Sequence, residues 1–120
     1  ENAVAILRQC ALVLIVACGM TLLLIAAEVD LSVGASLAFA GVVAMDVTNR
    51  TDSVALGALA GVLFGGAVGL FNGLVVTRLR VNSLIATIAT LMILQGAVYL
   101  YSREAVQNTH RLPLFTDLST

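Results

Sequence analysis

Tryptophan is absent from this sequence, and proline and histidine occur once each, at Pro113 and His110. A lone histidine with no cysteine or glutamate at ligand spacing builds no metal site, so none is expected. Nor does the chain carry a nucleophile elbow or a Gly-rich loop ending in Lys-Ser or Lys-Thr. No catalytic residue and no bound nucleotide or other cofactor is therefore expected. Charge is scarce too, at 11% of residues with a net of −1, which excludes the basic field that nucleic-acid binding requires. Cys10 and Cys18 share one apolar run. On a helix their spacing corresponds to about 12 Å of rise, beyond the roughly 7 Å Cα limit of a disulfide, so both read as small packing or membrane-facing residues.

What fills the chain instead is aliphatic. Hydrophobic residues make up 60% of it, and the mean hydropathy is +1.05. Soluble domains run nearer about 45–50% apolar, and a small fold leaves too much of its chain exposed to hide such an excess from water. A lipid bilayer removes the difficulty. Two tyrosines and four phenylalanines would supply only a thin aromatic belt. The first apolar run lacks an A-x-A-like cleavage site and is read as a membrane segment, not as a signal peptide.

Charged residues divide the sequence into apolar blocks at residues 9–27, 31–45, 53–77 and 81–102. As helices these would measure about 28, 22, 37 and 33 Å, against a hydrocarbon core of about 30 Å. Membrane strands would alternate apolar and polar residues, whereas these blocks are apolar on every face. Helices satisfy their own backbone in lipid. The expected fold is therefore all-α, a polytopic transmembrane bundle of three to four membrane helices, the second short or broken. Residues 103–120 are more polar and read as an extramembrane segment, and residues 1–120 as one partial domain.

Glu28 and Asp30 interrupt what would otherwise be one apolar stretch from Gln9 to Met45. One reading makes the interruption a tight loop at a membrane face. The other makes it a break between helices inside the protein, as transporters use near their substrate paths. Carboxylates at membrane depth are costly unless they face water or a partner. Arg78 and Arg80, in a very short connection, lean the orientation towards a cytoplasmic 78–80 turn and an external 46–52 loop.

Gly57, Gly61, Gly65, Gly69 and Gly73 recur every four residues through the third block. Small residues at that spacing let another helix approach closely, so the stripe is read as helix packing. In the segment Asp30-Leu31-Ser32-Val33-Gly34, Asp30 stands where an N-cap would. If that helix start lies by a translocation path, Asp30, Ser32 and Gly34 would shape it. Asn82 or Ser83 can cap the fourth helix. Asn72, Thr87 and Thr90 are polar points in apolar helices, able to bond back to their own backbone or across to another helix. Asp30, Ser32, Gly34, Asn72, Thr87 and Thr90 are the residues expected to line or support such a path.

The order of these pieces carries a resemblance. Ile6-Leu7-Arg8-Gln9, Gly19-Met20-Thr21, DLSVG at Asp30–Gly34, GLFNGLVV at Gly69–Val76, LIATIAT at Leu84–Thr90 and Gln95-Gly96 together resemble the permease subunits of ribose-type bacterial ABC importers of monosaccharides. These belong to the branched-chain amino acid/ribose permease superfamily, and the resemblance runs from Glu1 to about Ser102. It implies a multi-pass inner-membrane permease for a ribose-, xylose- or galactose-like sugar, working by alternating access. It also implies a cytoplasmic ATP-binding subunit, a second permease subunit and a periplasmic sugar-binding protein as partners, with the chain corresponding to the N-terminal half of such a permease. Two positions depart from the family's pattern: Ala27-Glu28-Val29 stands where Gly-Gly-Ile is common, and Val81-Asn82-Ser83 where a proline is frequent. A different class of protein also fits the residues alone, an ion- or proton-coupled secondary transporter using Glu28 and Asp30 for coupling. A purely structural membrane module built on the glycine stripe would fit as well.

Overall fold

The computed structural model describes residues 2–102. The polar segment expected at 103–120, with His110 and Pro113, lies outside the described residues. Every regular element among the described residues is helical: α1 (Asn2–Ile25), α2 (Val33–Thr51), α3 (Val54–Arg78) and α4 (Ser83–Ser102). Three of these, α1, α3 and α4, are long and apolar enough to cross a membrane. The chain is an all-α membrane bundle.

The connections are short, and each has a local cause. α1 ends with Glu28 N–H donating to Leu23 O at 2.9 Å and Ala27 N–H to Leu24 O at 3.0 Å, with Ala27 left-handed at φ 59°. This is the six-to-one closure that glycine usually serves, made here with an alanine. α2 and α3 are joined by Asp52 and Ser53 alone: Asp52 is left-handed at φ 52°, and the Ser53 hydroxyl accepts from Leu56 N–H to cap α3. Before α4 the Asn82 carboxamide oxygen accepts from Leu84 N–H at 2.9 Å, so Asn82 is the cap of that helix.

The second helix departs from the expected block. It was expected over 31–45 with a 46–52 loop after it, but helix continues to Thr51. The charges that mark a loop in the sequence satisfy one another on the helix. Arg50 Nε donates to both Asp46 oxygens, at 2.9 and 3.0 Å, one turn apart. Tyr101 of α4 donates to Asp46 Oδ2 at 2.6 Å. Phe39 packs edge-on against Phe64 of α3, centroids 4.7 Å apart, and against Tyr101 at 5.9 Å, tying three helices together at that end.

α2 and α3 cross closely on small residues. A Cβ at Gly57 would run into Thr48 Oγ1 and lie 2.5 Å from Ala44 O, and one at Gly61 would sit 3.1 Å from both Ala40 O and Ala44 Cβ. Nothing among the described residues lies within 4 Å of such an atom at Gly65, Gly69 or Gly73. The stripe thus packs on α2 through its first two glycines, and its later three face open space among the described residues. α1 stands beside α2 with no buried residue. Cys10 and Cys18 are free and exposed on it.

Candidate functional site

Polar side chains in an apolar bundle must find partners, and here they find one another. Asp30 Oδ1 accepts from Ser32 N–H at 2.7 Å and from the Ser32 hydroxyl at 2.6 Å. Ser32 Oγ in turn accepts from Asn72 Nδ2 at 2.9 Å. The Asn72 carboxamide oxygen accepts from Thr90 Oγ1 at 2.6 Å. One chain of hydrogen bonds therefore runs Thr90 → Asn72 → Ser32 → Asp30, from α4 through α3 to the segment before α2. Ser32, Asn72 and Thr90 are 0%, 5% and 7% exposed, so the chain is inside the bundle.

Its direction follows from chemistry. The Ser32 hydroxyl has one proton, which it gives to Asp30, so it can only accept from Asn72. Asn72 must turn its NH2 to Ser32 and its oxygen to Thr90. An amide carries a donor and an acceptor side by side, so Asn72 can bridge Ser32 and Thr90 at once.

The chain also locates the break after α1. Asn72 lies six residues before the end of α3, and Thr90 seven after the start of α4. Those offsets are about 9 and 10 Å of helix. The start of α2 is held at that level, recessed below the ends of its neighbours. Val29 N–H, bonded to Ser83 Oγ at 3.4 Å, marks where the segment turns inward. The 28–30 segment runs from beside the 80–83 turn, where Glu28 lies, to a helix start held against α3. Asp30 there has two donors and the positive end of α2 in front of it, which offset the cost of a carboxylate at that depth.

Asp30 does not stand at the N-cap itself. Ser32 occupies that position, with φ −83° and no side-chain bond to the helix, because its hydroxyl is committed to Asp30. Thr87 is buried at 2% exposure and donates back to Ser83 O at 2.7 Å, outside the chain. Gly34 lies exposed in the first turn of α2 and is not part of it. Ser36 escaped the sequence reading. It follows Ser32 by one helical turn, and its Oγ is buried without a partner among the described residues.

Beside the chain lies a groove of about 760 Å³ between α1, α2 and α3. Ser36, Ala40 and Ala44 of α2 and Gly61, Gly65 and Gly69 of α3 form its small-residue floor, and Asp30 lines it as well. No group of three or more metal-ligating side chains occurs among the described residues.

Lipid-length helices, one helix starting within the bundle, and a buried polar chain at that start define a polytopic membrane protein with the build of a transporter subunit. The chain belongs to the family described as branched-chain amino acid transport system / permease component, whose model matches residues 2–120. It is 44% identical over 102 residues to the L-arabinose ABC transporter permease protein of Azospirillum brasilense, covering 85% of this chain and 30% of that relative. It is 33% identical over 109 residues to the ribose import permease protein of Escherichia coli K12, covering 91% of this chain and 34% of the relative. With an inner membrane ABC transporter permease protein of the same strain it shares 36% over 107 residues, 88% of this chain and 32% of the other. The chain thus spans about a third of the length of these curated relatives. No solved structure gives a significant match.

Proposed function

We propose that this chain forms part of the translocation path of an ATP-driven importer of a simple sugar, with pentoses the first class to test. The observation that carries the reading is the recessed start of α2, where Asp30, Ser32, Asn72 and Thr90 form one hydrogen-bonded chain beside a groove. A helix beginning at depth, with its positive end and a few polar groups facing a cavity, is how transporters place a substrate station away from bulk water. Arabinose and ribose in the names of the related permeases supply the substrate class.

In this reading the chain hydrolyses nothing itself. A cytoplasmic ATP-binding subunit drives alternating access of this permease and a second permease subunit, and a periplasmic binding protein delivers the sugar. The Arg78–Arg80 turn faces the cytoplasm, in keeping with the retention of short basic loops on that side.

Uptake by membrane vesicles holding the full-length permease with its ATP-binding subunit and binding protein tests this directly. ATP-dependent uptake of L-arabinose, D-ribose, D-xylose or D-galactose that stops when the binding protein is left out is the expected result. Uptake that follows a proton or sodium gradient and ignores ATP would refute it, and would assign Glu28 and Asp30 to ion coupling.

A further inference from the structure

We propose that Asp30 and Ser36 form a hydroxyl-binding station for the transported sugar in the groove between α2 and α3, with Ser32, Asn72 and Thr90 as positioning residues that never touch it. The proposal rests on the permease reading above and divides the site residues into two kinds.

Three observations carry it. First, Asp30 uses one carboxylate oxygen for both bonds from Ser32, and no bond to its Oδ2 occurs among the described residues. Asp30 also lines the groove, and its carboxylate has an acceptor to spare. Second, Ser36 Oγ is buried and has no partner among the described residues, although Ser36 lines the same groove. A buried hydroxyl left unsatisfied is rare and costs free energy, so it asks for a partner. Third, the other lining side chains named for this groove are apolar: Leu12, Val16, Val33, Leu37, Val62 and Val68 stand about its floor of alanine and glycine. Apolar walls with a few placed polar groups are the usual make-up of a small-ligand site.

The ligand class follows from that lining. No cation is among the described residues that line the groove, and none of them suits an anion. A sugar matches both parts of it, offering C–H faces to the alanine and glycine floor and hydroxyl protons to Asp30. A turn about χ1 brings the Ser36 hydroxyl from its buried position into the groove, where it can donate to one sugar oxygen or accept from another. Two polar contacts, one of them charge-assisted, hold a hydroxyl weakly enough to let it leave, which a transport step requires. Ser32, Asn72 and Thr90 spend their hydrogen bonds on the internal chain and are at most 7% exposed. Their part is to hold Asp30 at one depth and one rotamer.

The test uses the full-length permease in proteoliposomes with its ATP-binding subunit and binding protein. Initial uptake is measured for the pentose that the unmodified protein carries, L-arabinose or D-ribose, and for its single-deoxy analogues. Asp30→Asn keeps an oxygen in place for both Ser32 bonds and replaces only the other one. Ser36→Ala leaves every Asp30 bond intact. The unmodified protein should disfavour one deoxy analogue by roughly tenfold, the scale of a lost charged hydrogen bond. Asp30→Asn should lower uptake of the parent sugar by a similar factor yet show no further loss on that one analogue. Ser36→Ala should behave likewise on a neighbouring hydroxyl, with a smaller drop. Thr90→Val should lower uptake of parent and analogues in parallel, and Thr90→Ser should restore it.

If Asp30→Asn and Ser36→Ala both keep the original preference among analogues, the station does not exist, even though ATP-driven uptake stands. If the unmodified permease shows no ATP-dependent uptake at all, the permease reading itself fails. Should Asp30→Asn not fold, the Ser36→Ala preference alone decides.

Discussion

Ser32 Oγ and Asn72 Nδ2 meet at 2.9 Å across forty residues of sequence, and their contact holds the start of α2 against the inner turn of α3. Ser32 gives its proton to Asp30, so its oxygen acts here only as an acceptor, and the Asn72 amide turns its nitrogen towards it.

Replacing Asn72 separates polarity from shape. Asn72→Asp would set a second acceptor against the Ser32 oxygen, which has no proton left to offer. Asn72→Leu would remove both bonds, while Thr90 keeps Ala86 O at 3.1 Å and Ser32 keeps Asp30. Asn72→Asp should therefore destabilise the full-length protein more than Asn72→Leu, by about 2–3 kcal/mol in all, the cost of stranding a buried charged group. Thermal unfolding in detergent reads the order, and a milder Asp variant would contradict the directional chain.

Ala27 holds a left-handed backbone at φ 59° where the closure of α1 favours glycine. The side chain costs about 1–2 kcal/mol in that conformation. Ala27→Gly should raise the unfolding midpoint by the equivalent of roughly 1 kcal/mol, after the greater freedom of glycine in the unfolded chain is subtracted. A lowered midpoint would show that the alanine methyl is making a contact worth more than its strain.

The two glycines at the α2–α3 crossing should differ from each other. An added methyl at Gly57 strikes the Thr48 hydroxyl and a carbonyl oxygen, whereas at Gly61 its neighbours stand at 3.1 Å and need shift only slightly. Gly57→Ala should cost about 1–3 kcal/mol, as overpacking does. Gly61→Ala should come out near neutral, because alanine returns about 1 kcal/mol of helix propensity. Unfolding midpoints of the two variants give the comparison, and equal costs would mean that the crossing is looser than the structure has it.

At the opposite end of the bundle, Tyr101→Phe removes the hydroxyl bonded to Asp46 and leaves the edge-on contact with Phe39. The loss should be about 1 kcal/mol. It should vanish when Asp46 is already Asn or Ala, so a double-mutant cycle isolates it. Additive effects in that cycle would remove the bond from the account of how α4 is held.

Much of this was legible in the chain, for identifiable reasons. Apolar blocks between charges announce membrane helices because lipid leaves a polar backbone no alternative. Asp30, Ser32, Asn72 and Thr90 stood out as polar residues in apolar surroundings, where a partner is obligatory, and the structure brings those four together. Which partner each would take was not legible. Thr87 and Thr90 are one turn apart and alike in type, yet Thr87 bonds back to its own helix and Thr90 bonds across to α3. Helix crossing angles decide that, and no local pattern records them. Nor does the pattern show that only Gly57 and Gly61 of the unbroken five-glycine stripe meet α2 closely. Asp46 and Arg50 looked like the charges of a loop, although their spacing of four was the sign of one helical turn. Ser36 was passed over because serine beside alanine and glycine is unremarkable until its hydroxyl is found buried alone.

The two-residue joint at Asp52 and Ser53 bears on how the protein is made. α2 is not among the helices apolar enough to cross a membrane unaided, yet it is fastened to α3, which is. With so short a joint the ribosome delivers the pair almost as one object, and glycine-on-alanine contact can form as soon as both have emerged. α3 would carry its less lipophilic neighbour into the bilayer as one arm of a hairpin. The aspartate and arginine of α2 would travel already paired, and the recessed start of that helix would be set by where its partner comes to rest.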